Sequence, residues 1–210
     1  MINSLNETRE RKLQKSFDDF WNKAFKTNNI KYYERMDLLD IVGLKKIVAQ
    51  INNIITLQTT LRFVDYLPQD YNSIKEEIKQ QIQKVDVNTN GYDIKFNGAR
   101  SNKISFIAEV KCNIPKELKN TYSFMSQQVQ EIKDDLTGLR NSNKDKSAIN
   151  YCKFMIVLDD DGVKEAMEKI INAFNQSQKK SVVMTLGDKR QLKIQNFNEL
   201  DNSIVYVVYV

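Results

Sequence analysis

Histidine is absent from the 210 residues. With it go the mechanisms that rely on an imidazole base, including the usual serine and cysteine triads and the zinc hydrolases. Two cysteines, Cys112 and Cys152, are too few for a disulfide scaffold or a zinc cluster, so a reduced, cytoplasmic setting is expected. Among the six glycines, Gly138 and Gly187 stand alone, with no phosphate-loop spacing to support nucleotide binding. Apolar runs are short: Phe154–Leu158 falls far below the roughly 18 to 20 residues that cross a bilayer, and mean hydropathy is −0.53. No membrane association is expected. The first residues, Met1 to Lys12, carry charge where a signal peptide needs its apolar stretch, so export is not expected. The remaining chemistry must run on carboxylates, lysine, tyrosine, thiol or a hard metal ion.

What is present suffices for one core: 41% of the residues are hydrophobic and 28% charged. A single domain over 1–210 is expected, with a helical N-terminal region (1–69) and an α/β core (70–210). Thirty-two Lys and Arg against 27 Asp and Glu give a net charge of +5, a balance that favours a polyanionic partner.

Apolar residues at Leu13, Phe17, Phe20, Trp21, Ala24 and Phe25 follow one helical stripe, and these aromatics read as core. A longer helix is expected after Asp37, an N-cap, with Leu44, Ile47, Val48, Ile51, Ile54, Ile55 and Leu61 on one side and Pro68 as its stop. Ser73 and Glu76 have the spacing of a capping box ahead of a stripe at Ile74, Ile78, Ile82 and Val85. Then the period changes. Tyr92, Ile94 and Phe96 alternate with polar residues, and Ile104 to Lys111 alternates again after Asn97-Gly98, which predicts two neighbouring strands. A helix between Ser123 and Arg140 leads through a polar stretch, 141–146, to Tyr151–Leu158, a nearly continuous apolar strand. Asp159-Asp160-Asp161-Gly162 reads as a turn and helix cap rather than a calcium loop, because it lacks alternating ligand spacing. Strands over Ser181–Leu186, Gln191–Phe197 and Ile204–Val210 close the chain. This order suits an α/β fold in which the Ile104 and Tyr151 strands are neighbours and the helix between them crosses over.

Within the Ile104 strand, Ile104, Phe106, Ala108 and Val110 share one face, while Glu109 and Lys111 share the other. Asp93, on the preceding strand, can face the same way and meet Glu109 across the pair. Two carboxylates and a lysine at one strand end can hold a hard divalent cation and its activated water. Glu-x-Lys alone is common in a lysine-rich chain and occurs at four other places, but only Glu109-Val110-Lys111 lies on a predicted strand with an aspartate strand upstream. The bland alternative is a structural ion pair on an exposed face.

The arrangement Gly91-Tyr92-Asp93-Ile94-Lys95-Phe96, a spacer, then Phe106-Ile107-Ala108-Glu109-Val110-Lys111, with a helix before and a helix and strand after, resembles the PD-(D/E)XK nuclease superfamily. The resemblance covers roughly Ser73 to Leu158, with Tyr92 in place of the family's proline. It implies a restriction-endonuclease-like mixed β-sheet flanked by α-helices. It also implies that Asp93 and Glu109 hold Mg2+, or Mn2+ as a substitute, with the Val110 carbonyl, while Lys111 orients or deprotonates the attacking water. Some members add a glutamate from the helix before the first strand, and Glu77 is the best placed here, with Glu34 a weaker choice. Arg100 and Lys103, between the two strands, are read either as phosphate contacts or as a solvated loop tip. Cys112 reads as a small buried residue.

The expectation is a Mg2+-dependent DNA endonuclease, of the kind found in bacterial restriction systems, acting on double-stranded DNA as a homodimer. The alternatives are a non-catalytic nucleic-acid-binding or assembly protein on the same scaffold, and a repair or recombination nuclease.

Overall fold

A computed structural model describes residues 9–84, 91–101, 103–186 and 199–210. The chain divides into two compact units, Met1–Ile51 and Asn52–Val210. The division falls inside the second helix, ahead of the change of pattern expected at residue 69.

In the first unit, α1 (Arg9–Ala24) carries a ladder of rings. Phe17 meets Trp21 edge-on at 6.1 Å, and Trp21 stacks on Phe25 at 5.2 Å. The stripe expected to be core is only partly so: Phe17 and Trp21 are half-buried, whereas Leu13, Phe20 and Phe25 are exposed. The helix has too few partners within this unit to cover its whole apolar side. Asp37 caps α2 (Leu38–Tyr66) as expected. Its Oδ1 accepts from the Asp40 amide at 2.9 Å, and Asp40 returns the bond to the Asp37 amide at 3.1 Å.

In the second unit, the end of α2 is followed by α3 (Lys75–Lys84), β1 (Ile94–Phe96), β2 (Phe106–Lys111), β3 (Lys116–Leu118) and β4 (Thr121–Ser123). After these come α4 (Ser126–Arg140), β5 (Cys152–Val157), α5 (Asp161–Gln178), β6 (Val183–Leu186) and β7 (Val205–Tyr209). Five strands form a mixed sheet in the order β1-β2-β5-β7-β6, with β1 antiparallel to β2 and the other pairs parallel. The α/β fold with helices flanking a mixed sheet is thus present, and α4 connects β2 to its parallel neighbour β5. The strand expected over Gln191–Phe197 and Val85 of the α3 stripe lie outside the described residues.

Each face of the sheet has its own core. Phe106, Ala108 and Val110 pack with Phe154 and Ile156 beneath Phe63 and Val64 of α2, Leu67 just after it, and Ile78 and Ile82 of α3. On the other face Ile107, Met155, Val157 and Val207 lie under Ile132, Leu136 and Leu139 of α4 and Met167, Ile170 and Phe174 of α5. β5 is buried at every position, which explains an apolar run broken only by Lys153.

The boundaries differ from the expected ones for local reasons. β2 begins at Phe106 rather than Ile104, because Tyr71 Oη donates to the Ile104 carbonyl (3.1 Å) and accepts from its amide (3.0 Å), which occupies that residue's ladder groups. α3 starts at Lys75 without the Ser73 cap. Backbone bonds from Tyr71 to Pro68 and from Ile74 to Tyr71 build the entry turn, and Glu76 instead meets Lys79 at 3.3 Å. Asp160 caps α5 as expected, accepting from the Val163 amide at 3.0 Å. The β3–β4 hairpin was not anticipated.

Candidate active site

The pairing of β1 with β2 matches Ile94 to Ala108 and Lys95 to Ile107. One step further places Asp93 opposite Glu109, as the alternation requires. The ladder ends there, and Asp93 itself takes the next donor: its Oδ2 accepts from the Val110 amide at 2.6 Å. Val110 therefore enters the site through its N–H, while its side chain lies in the opposite core.

Glu109 is 5% exposed. Its Oε1 accepts from Lys144 Nζ at 2.6 Å, and the same ammonium donates to the Gly91 carbonyl at 3.0 Å and stands 5.7 Å from the centre of the Tyr92 ring. Lys111, two residues along the same face, forms an ion pair with Asp135 of α4, both side chains 23% exposed. Lys95, on the Asp93 side of β1, pairs with Asp145.

Burial governs the ionisation of these groups. It pushes the Glu109 carboxyl up to about 7, with a further rise from Asp93, against which the Lys144 hydrogen bond pulls. Burial also raises Asp93, opposed by the Val110 amide, Lys144 and Lys111. For Lys144, burial lowers the pKa, but the hydrogen bond and charge of Glu109, with Asp135 and Asp93, more than offset it, so the ammonium is held charged. Asp145 is pushed down to about 2, chiefly by Lys95.

The structure thus brings Asp93, Glu109, Val110 and Lys111 together at one strand end. It does not bring Glu77 there. Glu77 is exposed on α3, which packs on the opposite face of the sheet, and its Oε1 accepts from Gln81 at 3.2 Å. Glu34 lies in the first unit, paired with Lys31. Lys103 is also placed away from the cluster. The loop that carries it joins the far ends of β1 and β2, about 16 Å along the strand from Lys111, and its ammonium meets Asp70 at 3.1 Å. Arg100 lies on the same loop, and its side chain falls outside the described residues. Cys112, expected to be buried, is half-buried at the edge of the α2–α3 core; it donates weakly to Thr59 Oγ1, and burial raises its thiol pKa.

Two members of the cluster escaped the sequence reading. Asp135 sits between Ile132 and Leu139 at the three-and-four spacing of the buried stripe, a position where an acid is itself a signal. Lys144 lies in the polar stretch after α4, where nothing in the sequence separates it from Lys146. Comparison of the chain with protein-family models, with curated proteins and with solved structures finds no match.

Proposed function

We propose that this chain is a Mg2+-dependent endonuclease of the PD-(D/E)XK kind that hydrolyses phosphodiester bonds in double-stranded DNA, with Mn2+ able to replace Mg2+. The observation that carries the reading is the pair of opposed carboxylates, Asp93 and Glu109, both raised by burial and with lysines beside them. A buried acid and a half-buried one side by side repel, and a divalent cation relieves that repulsion.

The donor set supports this choice of ion. Among the described residues no three Asp, Glu, Cys or His side chains form a cage of their own. Mg2+ needs none, since it is held by one or two carboxylates, water and substrate phosphate. The described hydrogen bonds engage Asp93 Oδ2 and Glu109 Oε1, so the second oxygen of each is the one a cation would take. When bound, the cation would supply a Lewis acid at the phosphate and an acidified water.

The protein's own groups set the geometry. The Val110 amide fixes the Asp93 carboxylate, and Lys144 aims Glu109 and opposes the rise that burial gives its pKa. Lys111, steadied by Asp135, stands on the same face, where its ammonium would orient the attacking water and the phosphate. Cleavage of both strands calls for two such sites, hence a homodimer, and a cytoplasmic restriction system is the setting that fits this chemistry. Among the described residues no helix is long and apolar enough to cross a membrane.

The test is incubation of the protein with unmethylated plasmid and phage DNA in Mg2+ or in EDTA. Discrete fragments are expected in Mg2+ alone, and Asp93→Asn should cut turnover by at least about a hundredfold while DNA affinity is kept. Full cleavage by that variant would remove the site. A second reading, a non-catalytic nucleic-acid-binding protein, draws on the two ion pairs, Lys111–Asp135 and Lys144–Glu109, which neutralise much of the cluster without any ion. Tight duplex binding without scission would decide for it.

A further inference from the structure

From Lys111 the chain runs through four residues, 112–115, into the β3–β4 ribbon, so this ribbon follows the strand end that carries the candidate site. Its turn is Lys119-Asn120, with φ of 52° and 61°, the backbone of a two-residue type I′ hairpin. The register pairs Lys116 with Ser123, Glu117 with Tyr122 and Leu118 with Thr121. Alternation then sorts the side chains: Glu117 and Tyr122 share one face, and Lys116, Leu118, Thr121 and Ser123 share the other.

The Tyr122 face is anchored. Its ring lies so close to Gly162, in the first turn of α5, that a Cβ there would come within 2.6 Å of it. The Tyr122 amide donates to Glu165 at 3.2 Å, and its carbonyl accepts from Lys169 at 2.8 Å. The opposite face is open. Every residue of β3 is exposed, Leu118 at 60%. The one carboxylate of the ribbon, Glu117, is on the Tyr122 face, so the open face and tip carry Lys116, Lys119, Asn120, Thr121 and Leu118, with the half-buried Ser123 at the base and no acid among them.

We propose that the β3–β4 ribbon is a recognition arm that enters the major groove of the duplex cut at Asp93 and Glu109. This rests on the reading of a duplex substrate. A two-stranded ribbon fits a groove about 12 Å wide. The residue types suit what the groove presents: lysine for phosphate or for guanine O6 and N7, asparagine for adenine, and hydroxyl and methyl groups of threonine and leucine for either polar edges or the thymine methyl. The anchor on α5 keeps the arm rigid, so its ordering costs little on binding.

The experiment is equilibrium binding to duplex DNA in EDTA across a salt series, with the variant K116Q/K119N. Asparagine tolerates the left-handed conformation at position 119, and both positions are exposed, so the fold is kept. The expected result is a log K against log salt slope shallower by about 1 to 2, and affinity at low salt lower by about tenfold or more. K180Q, at the far end of α5, should leave the slope unchanged. A wild-type slope for K116Q/K119N overturns the proposal. So does an effect confined to sedimentation, which would make the open β3 edge a contact between copies of this chain. If the wild-type protein binds with a ribbon-dependent slope yet cuts nothing in Mg2+, the nuclease reading fails and the arm stands. If it cuts while the variant binds as the wild type does, the arm fails alone, and absence of any duplex binding removes both.

Discussion

The β2–β5 pair buries charge at both of its ends, in opposite ways. At the start of β5, Lys153 is fully buried, and its ammonium donates to the carbonyls of Ile149 (2.8 Å), Tyr151 (2.9 Å) and Asn202 (2.5 Å). A lysine has three donors, and three acceptors meet them. At the end of β2, by contrast, Asp93, Glu109 and Asp135 outnumber Lys111 and Lys144, and burial drives two of the three acids toward neutrality. The first arrangement is closed and fixes the approach of the chain to β7. The second holds more acids than lysines around the buried Glu109, which is a stability cost unless a cation or substrate uses it.

Lys153→Met tests the closed end and carries the largest expected effect on stability. It removes the shared donor of three buried carbonyls, and chemical denaturation followed by circular dichroism should show a loss of about 3 to 5 kcal/mol. The proposed nuclease activity, per folded molecule, should be unchanged. A loss under about 1 kcal/mol would mean that water serves those carbonyls as well as the ammonium does, and the contrast between the two ends would weaken.

How far each end was legible in the sequence follows from the range of the interactions. Alternation placed Glu109 and Lys111 on one face of β2 and Asp93 across from them, because strand period and hairpin register are local. The burial of β5 was equally readable from its nearly continuous apolar run Cys152–Val157. Lys153 was hidden inside that run, since its acceptors come partly from Asn202, 49 residues away. Lys144 reaches Glu109 across 35 residues, and Lys111 reaches Asp135 across a helix–strand interface. Such partners depend on the docking of α4, which no periodicity encodes. The same limit misplaced Glu77: its flank on α3 was readable, but which face of the sheet α3 covers was not.

At the open end, pH separates structural from functional charge. The Glu109 carboxyl rises from its ordinary 4.5 to about 7 in the fold, so the folded state binds its proton more tightly than the unfolded chain. The stabilisation from this group is complete below about pH 4.5 and is lost as pH rises through 7. Asp93 shifts in the same direction. The wild-type protein should therefore lose on the order of 3 kcal/mol between about pH 4.5 and 8, and Glu109→Gln should flatten most of that slope. The slope is the readout rather than the absolute stability, because the substitution also takes from Lys144 its anion. Circular dichroism suits the measurement, since the one tryptophan, Trp21, belongs to the first unit. Mg2+ added at pH 8 should restore stability to the wild type and not to the variant. An equal slope in both proteins would place the pH dependence elsewhere.

The smallest expected effect sharpens the comparison most. Glu77 and Glu109 are both glutamates near the start of the α/β core, yet Glu77 lies exposed on α3 with Gln81 as its partner. An exposed carboxylate beside a neutral amide contributes little, so Glu77→Gln should change stability by less than about 0.5 kcal/mol. Because α3 covers the face of the sheet that holds Phe106, Ala108 and Val110, this side chain has no route to Asp93 short of moving the helix. Cleavage by Glu77→Gln, measured at saturating Mg2+, should stay within about twofold of the wild type, since no interaction of the reacting groups is removed. A tenfold loss would show that α3 swings onto the substrate when DNA binds, and the acids that matter would then have to be counted on both faces of the sheet.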